Sequence, residues 1–303
     1  MLISVLIATY NGLEKVKNCI NALDSQSFGD FEIIVLVDGS TDDTAEMLRK
    51  LPFYKKLKVV EQANGGRAVA RNQAASYAQG ELFIFLDDDT RPIPTCIQRH
   101  VTHHLQHPHS VLVGNPIEDL QMMKTDFQRF KQRLSAQWAD DLASQVAPLP
   151  YPFLTAANFS ISREIFYLVG GFDSRLRDAE DYELAIRLFQ KQVPIYFDKN
   201  CIAWHDDFLT CKRYVQRLRE YSKAHQQLEA LRPEIFEHFP SRQIIPPKGW
   251  KKMLYEIASL PIWVWCIDHF NFFRFLPSRW RYKCYAAVVT GLSSFYPHRS
   301  VGR

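Results

Sequence analysis

The sequence predicts an α/β fold around a mostly parallel sheet flanked by helices, and three observations predict it. Short apolar runs alternate with helix-patterned segments through the first half, as βα units feeding a parallel sheet do. One of these runs, residues 31–37, is apolar throughout except for Glu32. Two of them end on acids, Asp38 and the triplet Asp87, Asp88 and Asp89, in the place where open α/β sheets bind ligands, beyond the carboxyl ends of the strands.

Residues 3–8 form the first predicted strand, after which Asn11-Gly12 opens a helix with Leu13, Val16, Ile20 and Leu23 on one face at helical spacing. Residues 31–37 form the second strand, and Gly39-Ser40-Thr41 turns into a helix, with Ser40 and Asp43 spaced as a capping box. Residues 57–60 are the third strand. Gly65-Gly66 precedes a helix to about Tyr77, closed by Gly80 in the left-handed C-terminal position. Residues 82–86, the fourth strand, deliver the acidic triplet. Beyond residue 115 the pattern changes to a polar helix over about 120–145, then a break at Pro148, Pro150 and Pro152, and a strand over 153–161. A Gly170-Gly171-Phe172-Asp173 turn, a helix over 180–190, strands over 193–197 and 201–204 and a charged helical stretch over 207–239 follow.

At 303 residues, with 47% hydrophobic and 23% charged and no long biased tract, the chain is globular, which excludes disorder, collagen and coiled coil. A net charge of +4 is too small to imply nucleic acid. Residues 248–303 hold nine Lys/Arg against two Asp/Glu, so a basic tail follows a mildly acidic body. The six cysteines lie far apart without CxxC or short spacing, which reads as reduced core thiols in a reducing compartment instead of a zinc or disulfide framework. The apolar N-terminus lacks a basic leader and a cleavage site, so no signal peptide is expected. The longest uncharged stretches of the tail, 257–267 and 284–298, fall short of the roughly 20 residues a membrane span needs.

Three adjacent carboxylates at a strand end repel one another unless a cation or a hydrogen-bond network compensates. Hard divalent cations favour carboxylate oxygen together with phosphate oxygen, so the triplet reads as a metal–diphosphate site. A solvated acidic turn is the alternative for the triplet by itself.

The triplet has company. AlaThrTyrAsn stands at 8–11, ValAspGlySerThrAspAsp at 37–43, AsnGlyGlyArg at 64–67, AlaArgAsn at 70–72, GlyGlyPheAsp at 170–173 and GluAsp at 180–181. In this order and spacing, over about residues 2–205, the chain resembles the family 2 glycosyltransferases of the GT-A fold. That resemblance implies a Rossmann-like sheet, a divalent cation (Mn2+ or Mg2+), and transfer of sugar from a nucleotide-diphosphate donor, UDP-linked, to a saccharide or lipid-linked hydroxyl in cell-surface glycan assembly. It further implies a catalytic domain over 1–240, with a nucleotide-binding half at 1–115 and an acceptor-binding half at 116–240, followed by an extension at 241–303.

Carried across by position, Thr9, Tyr10 and Asn11 match the nucleotide contacts at the end of the first strand, with Tyr10 as plain strand-end packing the alternative. Asp38 matches the carboxylate on the pyrimidine ring. Asn64, Arg67 and Arg71 match the diphosphate or ribose region, with a solvated basic helix face as the rival for the two arginines. Asp89 matches the direct metal ligand, Asp87 a ligand closer to the ribose, and Asp88 a variable position that can point away. Thr90 stands where the family frequently adds another acid. Asp181 matches the base that deprotonates the acceptor hydroxyl in a single inverting displacement, with Glu180 as second candidate. Gly170 and Gly171 would let backbone approach the donor sugar, with the Phe172 and Asp173 side chains beside it. His205 is a candidate third metal ligand, an ordinary strand end being the alternative. Trp138 lies in the 121–152 segment, where acceptor recognition and a mobile loop over the donor are expected. His100, His103, His104, His107 and His109 read as a solvated helix face, the alternative being i,i+4 pairs capable of binding a transition metal.

The tail interleaves Trp250, Trp263, Trp265 and Trp280 with Lys251, Lys252, Arg274, Arg279, Arg281 and Lys283. That mixture suits a cytoplasmic protein in peripheral contact with the inner face of the cell membrane; helices packed on the catalytic domain are the alternative. Competing functions fare less well. A sugar-nucleotide pyrophosphorylase would need a basic Gly-rich loop after the first strand, and a dinucleotide oxidoreductase a GxGxxG there. A degenerate nucleotide-sugar-binding subunit is disfavoured by the intact Asp89 and Asp181.

Overall fold

The computed structural model describes residues 1–51, 56–238 and 244–301. In chain order the elements are β1 (Ile3–Thr9), α1 (Leu13–Asp24), β2 (Phe31–Asp38), α2 (Thr44–Arg49), β3 (Lys56–Gln62), α3 (Arg67–Tyr77), β4 (Leu82–Asp87), β5 (Thr90–Pro92), α4 (Cys96–Gln106) and β6 (Val111–Ile117). There follow α5 (Asp126–Ala143), β7 (Asn158–Ser162), α6 (Arg163–Leu168), α7 (Glu180–Gln190) and β8 (Ile195–His205). Then come α8 (Cys211–Leu231), α9 (Pro233–His238), α10 (Trp250–Ala258), α11 (Pro261–Phe270) and α12 (Ser278–Thr290). None of the described helices is long and apolar enough to cross a membrane.

One sheet carries the strands in the order β3-β2-β1-β4-β7-β6-β8-β5. β1, β2, β3 and β4 are parallel neighbours, as are β6 and β8, while β7 and β5 run antiparallel to theirs. Successive side chains of a strand point to opposite faces, and both faces here are apolar. Leu6, Ile34, Phe83 and Phe85 face Ala70 and Ala74 of α3 and Leu184 and Leu188 of α7. Ile7, Val35, Ile84 and Leu86 face Val16, Ile20 and Leu23 of α1 and Ile97 of α4.

The order dictates curvature. β4 ends at Asp87 and β5 begins at Thr90, yet four strand steps separate them in the sheet. A flat sheet would put them about 19 Å apart, whereas three residues reach at most about 10 Å. The sheet therefore curls, and the acidic turn spans its open end, so that Thr90 pairs with His205.

The described chain divides into two compact units, Met1–Glu118 with Ala136–Asp206, and Asp119–Ser135 with Asp207–Arg303. The boundary read from the sequence at 240, like residue 239 of the expected helix, lies outside the described residues. The second unit has its own core, in which Phe127, Phe130, Val215, Val264, Tyr285, Val288 and Leu292 meet. Tyr285 is fully buried, its hydroxyl 3.0 Å from Asp126 and 2.9 Å from Asn271. The tail's aromatic residues thus divide, with Trp263, Phe273 and Tyr282 packed on that core and Trp250, Trp265, Phe275 and Trp280 exposed.

Several expectations change. The strand expected over 153–161 is β7, which starts only at Asn158, and the two strands expected over 193–204 are one, β8, its register with β6 broken between Val113 and Asn115. β5 and β6 were not foreseen. Ser40 forms no capping box; its hydroxyl accepts from the Asn11 backbone at 2.9 Å. The histidines of α4 are not one solvated face, because His100 and His104 are buried and reach Ser160 at 2.8 Å. Gly80 is not a left-handed cap. It is glycine because a Cβ there would lie 2.5 Å from Ser4 Oγ and 2.6 Å from Ser4 N.

Gly80→Ala therefore overpacks β1 and is expected to cost about 1–3 kcal/mol. Gly29→Ala, with nothing within 4 Å of its Cβ, serves as the near-neutral control. Equal urea midpoints for the two variants would contradict this close approach.

Candidate active site

The site lies beyond the carboxyl ends of β1, β2, β4 and β8. Thr9 is buried at the end of β1 and donates to Asp88 at 2.6 Å. Asp88 is thus turned onto β1, not away from it. A Cβ on Gly12 would stand 2.5 Å from both Asp88 Oδ2 and Thr9 Oγ1, so only glycine lets the loop close over this pair. Loss of solvent, and then the charge of Asp89, raises Asp88 to about 6.

Asp89 faces the other way. His205 Nε2 lies 3.1 Å from its Oδ1 and Lys15 Nζ 3.3 Å from its Oδ2. Burial works to raise its pKa, but the hydrogen bond and charge of His205, with Lys15, take it well below the ordinary carboxylate range. Ligand atoms of Asp87, Asp89 and His205 all lie within 4.8 Å of one another. The structure brings together the three residues the sequence proposed for a metal, Asp89 and His205 being 116 residues apart. Two carboxylates and an imidazole are a donor set that fits a divalent cation.

Asp87 turns toward α3. Its Oδ1 accepts from Arg71 Nη2 at 2.6 Å, and Arg71 Nη1 meets Glu180 Oε1 at the first residue of α7. Arg71 is only 5% exposed and stands 5.6 Å over the Phe172 ring. Burial opposes its charge, yet Asp87 and then Glu180 hold it protonated above its ordinary range. It is therefore neither on a solvated face nor free for a diphosphate; it joins the strand-end acids to the α7 acids. Arg67 is the exposed arginine, 3.5 Å from Asp178.

Next to Glu180, Asp181 is only partly exposed. Its Oδ1 accepts from the Tyr182 backbone at 2.8 Å and its Oδ2 from that of Ala156 at 3.4 Å. Desolvation first, and the neighbouring Glu180 second, push its pKa up to about 7.

Asp38 is buried, accepting from Gln62 Nε2 at 2.7 Å and from the Gly65 and Gly66 backbones at 2.9 Å each, while Asn64 donates to its carbonyl. Asn11 takes a left-handed φ of 48° and ties to Thr41, whose N donates to its Oδ1 at 2.7 Å. Tyr10 projects from the same turn, 53% exposed.

The Gly170-Gly171 turn has positive φ at both glycines, and its backbone is held from behind: Asn72 brackets Phe172 at 2.7 and 2.9 Å, and Arg187 donates to Gly171 O at 2.7 Å. Phe172 corrects its expected role. Its ring is buried against Phe85, Phe159 and Phe166, so it is core and not a donor-sugar contact. Asp173 pairs with Arg175 at 2.6 Å. Trp138 is half exposed and packs edge-on to Phe153 at 5.0 Å. Most of the segment around it, where a loop over the donor was expected, is the helix α5, with Phe127 and Phe130 in a core. Sequence reasoning missed Lys15, Asn72 and Arg187. Asn72 stood inside a quoted motif; the other two had only ordinary helix-face spacing.

The model of the family described as glycosyl transferase family 2 matches residues 4–177, more than half of the chain. An uncharacterized glycosyltransferase of Rickettsia conorii is 28% identical over 203 residues, 66% of this chain and 33% of its own length. Validoxylamine A glucosyltransferase of Streptomyces hygroscopicus subsp. jinggangensis is 28% identical over 222 residues, 64% of this chain and 53% of its own. The chain spans about a third of the length of the first curated relatives it matches. Among solved structures, the mannosyltransferase PcManGT from Pyrobaculum calidifontis, in complex with GDP-Man and Mn2+, superposes with a TM-score of 0.57 at 17% identity, covering 96% of this chain and 75% of that one. S. aureus TarS 1-349 in complex with UDP-GlcNAc gives 0.56 at 15% identity, covering 98% and 91%. These likenesses identify the fold as GT-A.

Arg71→Met would strand Glu180 in the interior and is expected to destabilise the protein by about 3–5 kcal/mol. Arg71→Lys should recover only part of this, since an ammonium lacks the planar fork that reaches two carboxylates. Urea unfolding measures both, and a loss below about 1 kcal/mol for Arg71→Met would show that the bridge is not structural.

Proposed function

The chain belongs to glycosyl transferase family 2, and from that premise we propose that it moves a sugar from a nucleotide-diphosphate donor to an acceptor hydroxyl by a metal-dependent, inverting displacement. The observation that carries this reading is the pairing of a three-ligand cluster at Asp87, Asp89 and His205 with a near-neutral carboxylate at Asp181, linked through Arg71 and Glu180. The family match ends at residue 177, so the roles of Asp181 and His205 rest on geometry.

Asp89, Asp87 and His205 would hold the ion. Imidazole in the donor set favours Mn2+ over Mg2+, which prefers oxygen alone. When bound, such an ion supplies a Lewis acid for charge developing on the departing diphosphate. Asp181 takes the acceptor proton. Glu180 is the weaker candidate because Arg71 binds it in the interior, where it serves to orient. Asp38 Oδ2 accepts from the Gly66 backbone and a carboxylate oxygen can take a second donor; with the exposed Tyr10 ring this supports a pyrimidine and hence a UDP-linked donor. Asn64, Asn11 and Thr9 shape that pocket from behind, and Arg67, unlike Arg71, is turned outward. Gly170, Gly171 and Asp173 would flank the donor sugar. Trp138 and Phe153, which lead to Ala156 on Asp181, are proposed for the acceptor.

On this reading residues 1–115 bind nucleotide and 116–240 the acceptor, a saccharide or lipid-linked saccharide in cell-surface glycan assembly. The extension at 241–303 holds the protein at the inner face of the cytoplasmic membrane. Its support is the outward Trp250, Met253, Phe275 and Trp280, with Lys251 over Trp250 and Lys283 over Trp280, a mixture that suits the interface of an anionic bilayer.

Asp181→Asn should lower kcat by about 10²–10⁴-fold while leaving the calorimetric affinity for UDP with Mn2+ unchanged; full retention of kcat would remove Asp181 as base. The base acts deprotonated, so its raised pKa moves the acid limb of the rate profile upward. Activity should climb with pH through about 7 and not through the usual carboxylate range near about 4. Chelation should abolish transfer, Mn2+ should restore it better than Mg2+, and His205→Ala should narrow that difference; metal-independent turnover would refute the cation. In flotation, vesicles with anionic lipid should carry up the protein but not a Trp250→Ser, Phe275→Ser double variant, and equal recovery of both in the soluble fraction would end the membrane assignment.

A further inference from the structure

Behind the acid cluster lies a second group of metal-competent side chains that glycosyl transfer does not use. Cys96 opens α4, His100 follows one turn later on the same helix face, and Cys201 comes from β8. All three are fully buried, and their ligand atoms lie within 4.8 Å of one another. We propose that Cys96, Cys201 and His100 bind a structural zinc ion between α4 and β8.

The spacing supports a metal. The two Sγ atoms are 3.7 Å apart; thiolates about 2.3 Å from a tetrahedral zinc lie about 3.8 Å from each other. Asn158 Oδ1 now accepts from both His100 Nε2 at 2.8 Å and Cys96 Sγ at 3.9 Å, and so offers an oxygen next to the three donor atoms. The outer groups are also those of a metal centre. His100 Nδ1 meets Ser160 Oγ at 2.8 Å, which orients the ring, and an ion would take the place of the proton that Nε2 shares with Asn158 Oδ1. Asn158 in turn donates to Cys201 O at 2.8 Å. Its close approach depends on Gly114, where a Cβ would fall 2.2 Å from the amide nitrogen. Zinc suits this set because thiolate and imidazole are its ligands, whereas the carboxylate-rich site nearby suits Mn2+.

The place gives the ion a purpose. Cys201 precedes His205 by four residues on β8, and Cys96 follows Asp89 by seven, so the ion pins the two segments that carry the catalytic metal ligands.

The protein purified without added metal and dialysed against EDTA, which strips a partly exposed Mn2+ site, is expected to keep about one zinc per chain by mass spectrometry. Asp89→Asn should keep it and Cys201→Ser should lose it. Wild-type protein refolded with Co2+ in place of zinc should show a thiolate-to-cobalt charge-transfer band, a readout that needs no variant to fold. Metal-free protein with no such band would overturn the proposal, whether the two thiols prove free or joined as a disulfide. So would zinc that persists in Cys201→Ser and vanishes in Asp89→Asn.

Discussion

One guanidinium holds the site together. Arg71 is buried between Asp87 at the end of β4 and Glu180 at the start of α7, with the Phe172 ring beneath it. Without it, the strand-end triplet and the α7 pair would be five carboxylates facing one another across a confined space, an arrangement whose desolvation and repulsion no surface ion pair could offset. Arg71 absorbs one carboxylate from each set. That leaves Asp89 to His205 and Lys15, Asp88 to Thr9, and Asp181 to two backbone amides. Five acids thereby acquire their own partners, and Asp88, Asp89 and Asp181 are shifted apart in pKa. Asp89 stays ionised below the ordinary range while Asp181 rises to about 7, a separation that the proposed base chemistry near neutral pH would need.

The curled sheet makes this possible. Because Asp88 and Asp89 must bridge strands that lie far apart in sheet order, the turn they form is drawn across the open end, and β5 delivers Asp89 to His205. The Gly170-Gly171 turn is fixed in the same spirit, by Asn72 on one side and Arg187 on the other. The groups proposed to react therefore stand on elements whose backbones are already held, an arrangement that would keep reorganisation small on binding a donor.

The second unit follows another logic. Its inward-facing aromatic residues build a core around Tyr285 and Asp126, and Trp250, Trp265, Phe275 and Trp280 remain outside. A helix segment needs only one apolar stripe to fold, so side chains of this size left in solvent are surplus to folding. Composition alone offered membrane contact and internal packing as rivals; both kinds of residue are present, on different sides of the same helices.

What local sequence determines here is type and order. Apolar runs specify β1, β2 and β4, helical spacing specifies α1, α3 and α7, and strand ends specify where Asp38 and Asp87 to Asp89 emerge, because side-chain periodicity is a local property of backbone geometry. Partnership was not legible. Nothing in a helix-face Lys15 announces Asp89, nothing in Arg71 says whether it meets phosphate or carboxylate, and Phe172 beside two glycines reads as a site residue until Phe85 and Phe159 enclose it. Cys96 and Cys201, 105 residues apart, have no sequence signature as a pair. Those facts depend on which elements the curled sheet brings within a few ångströms, and such contacts arise only from long-range packing, which composition and spacing do not encode.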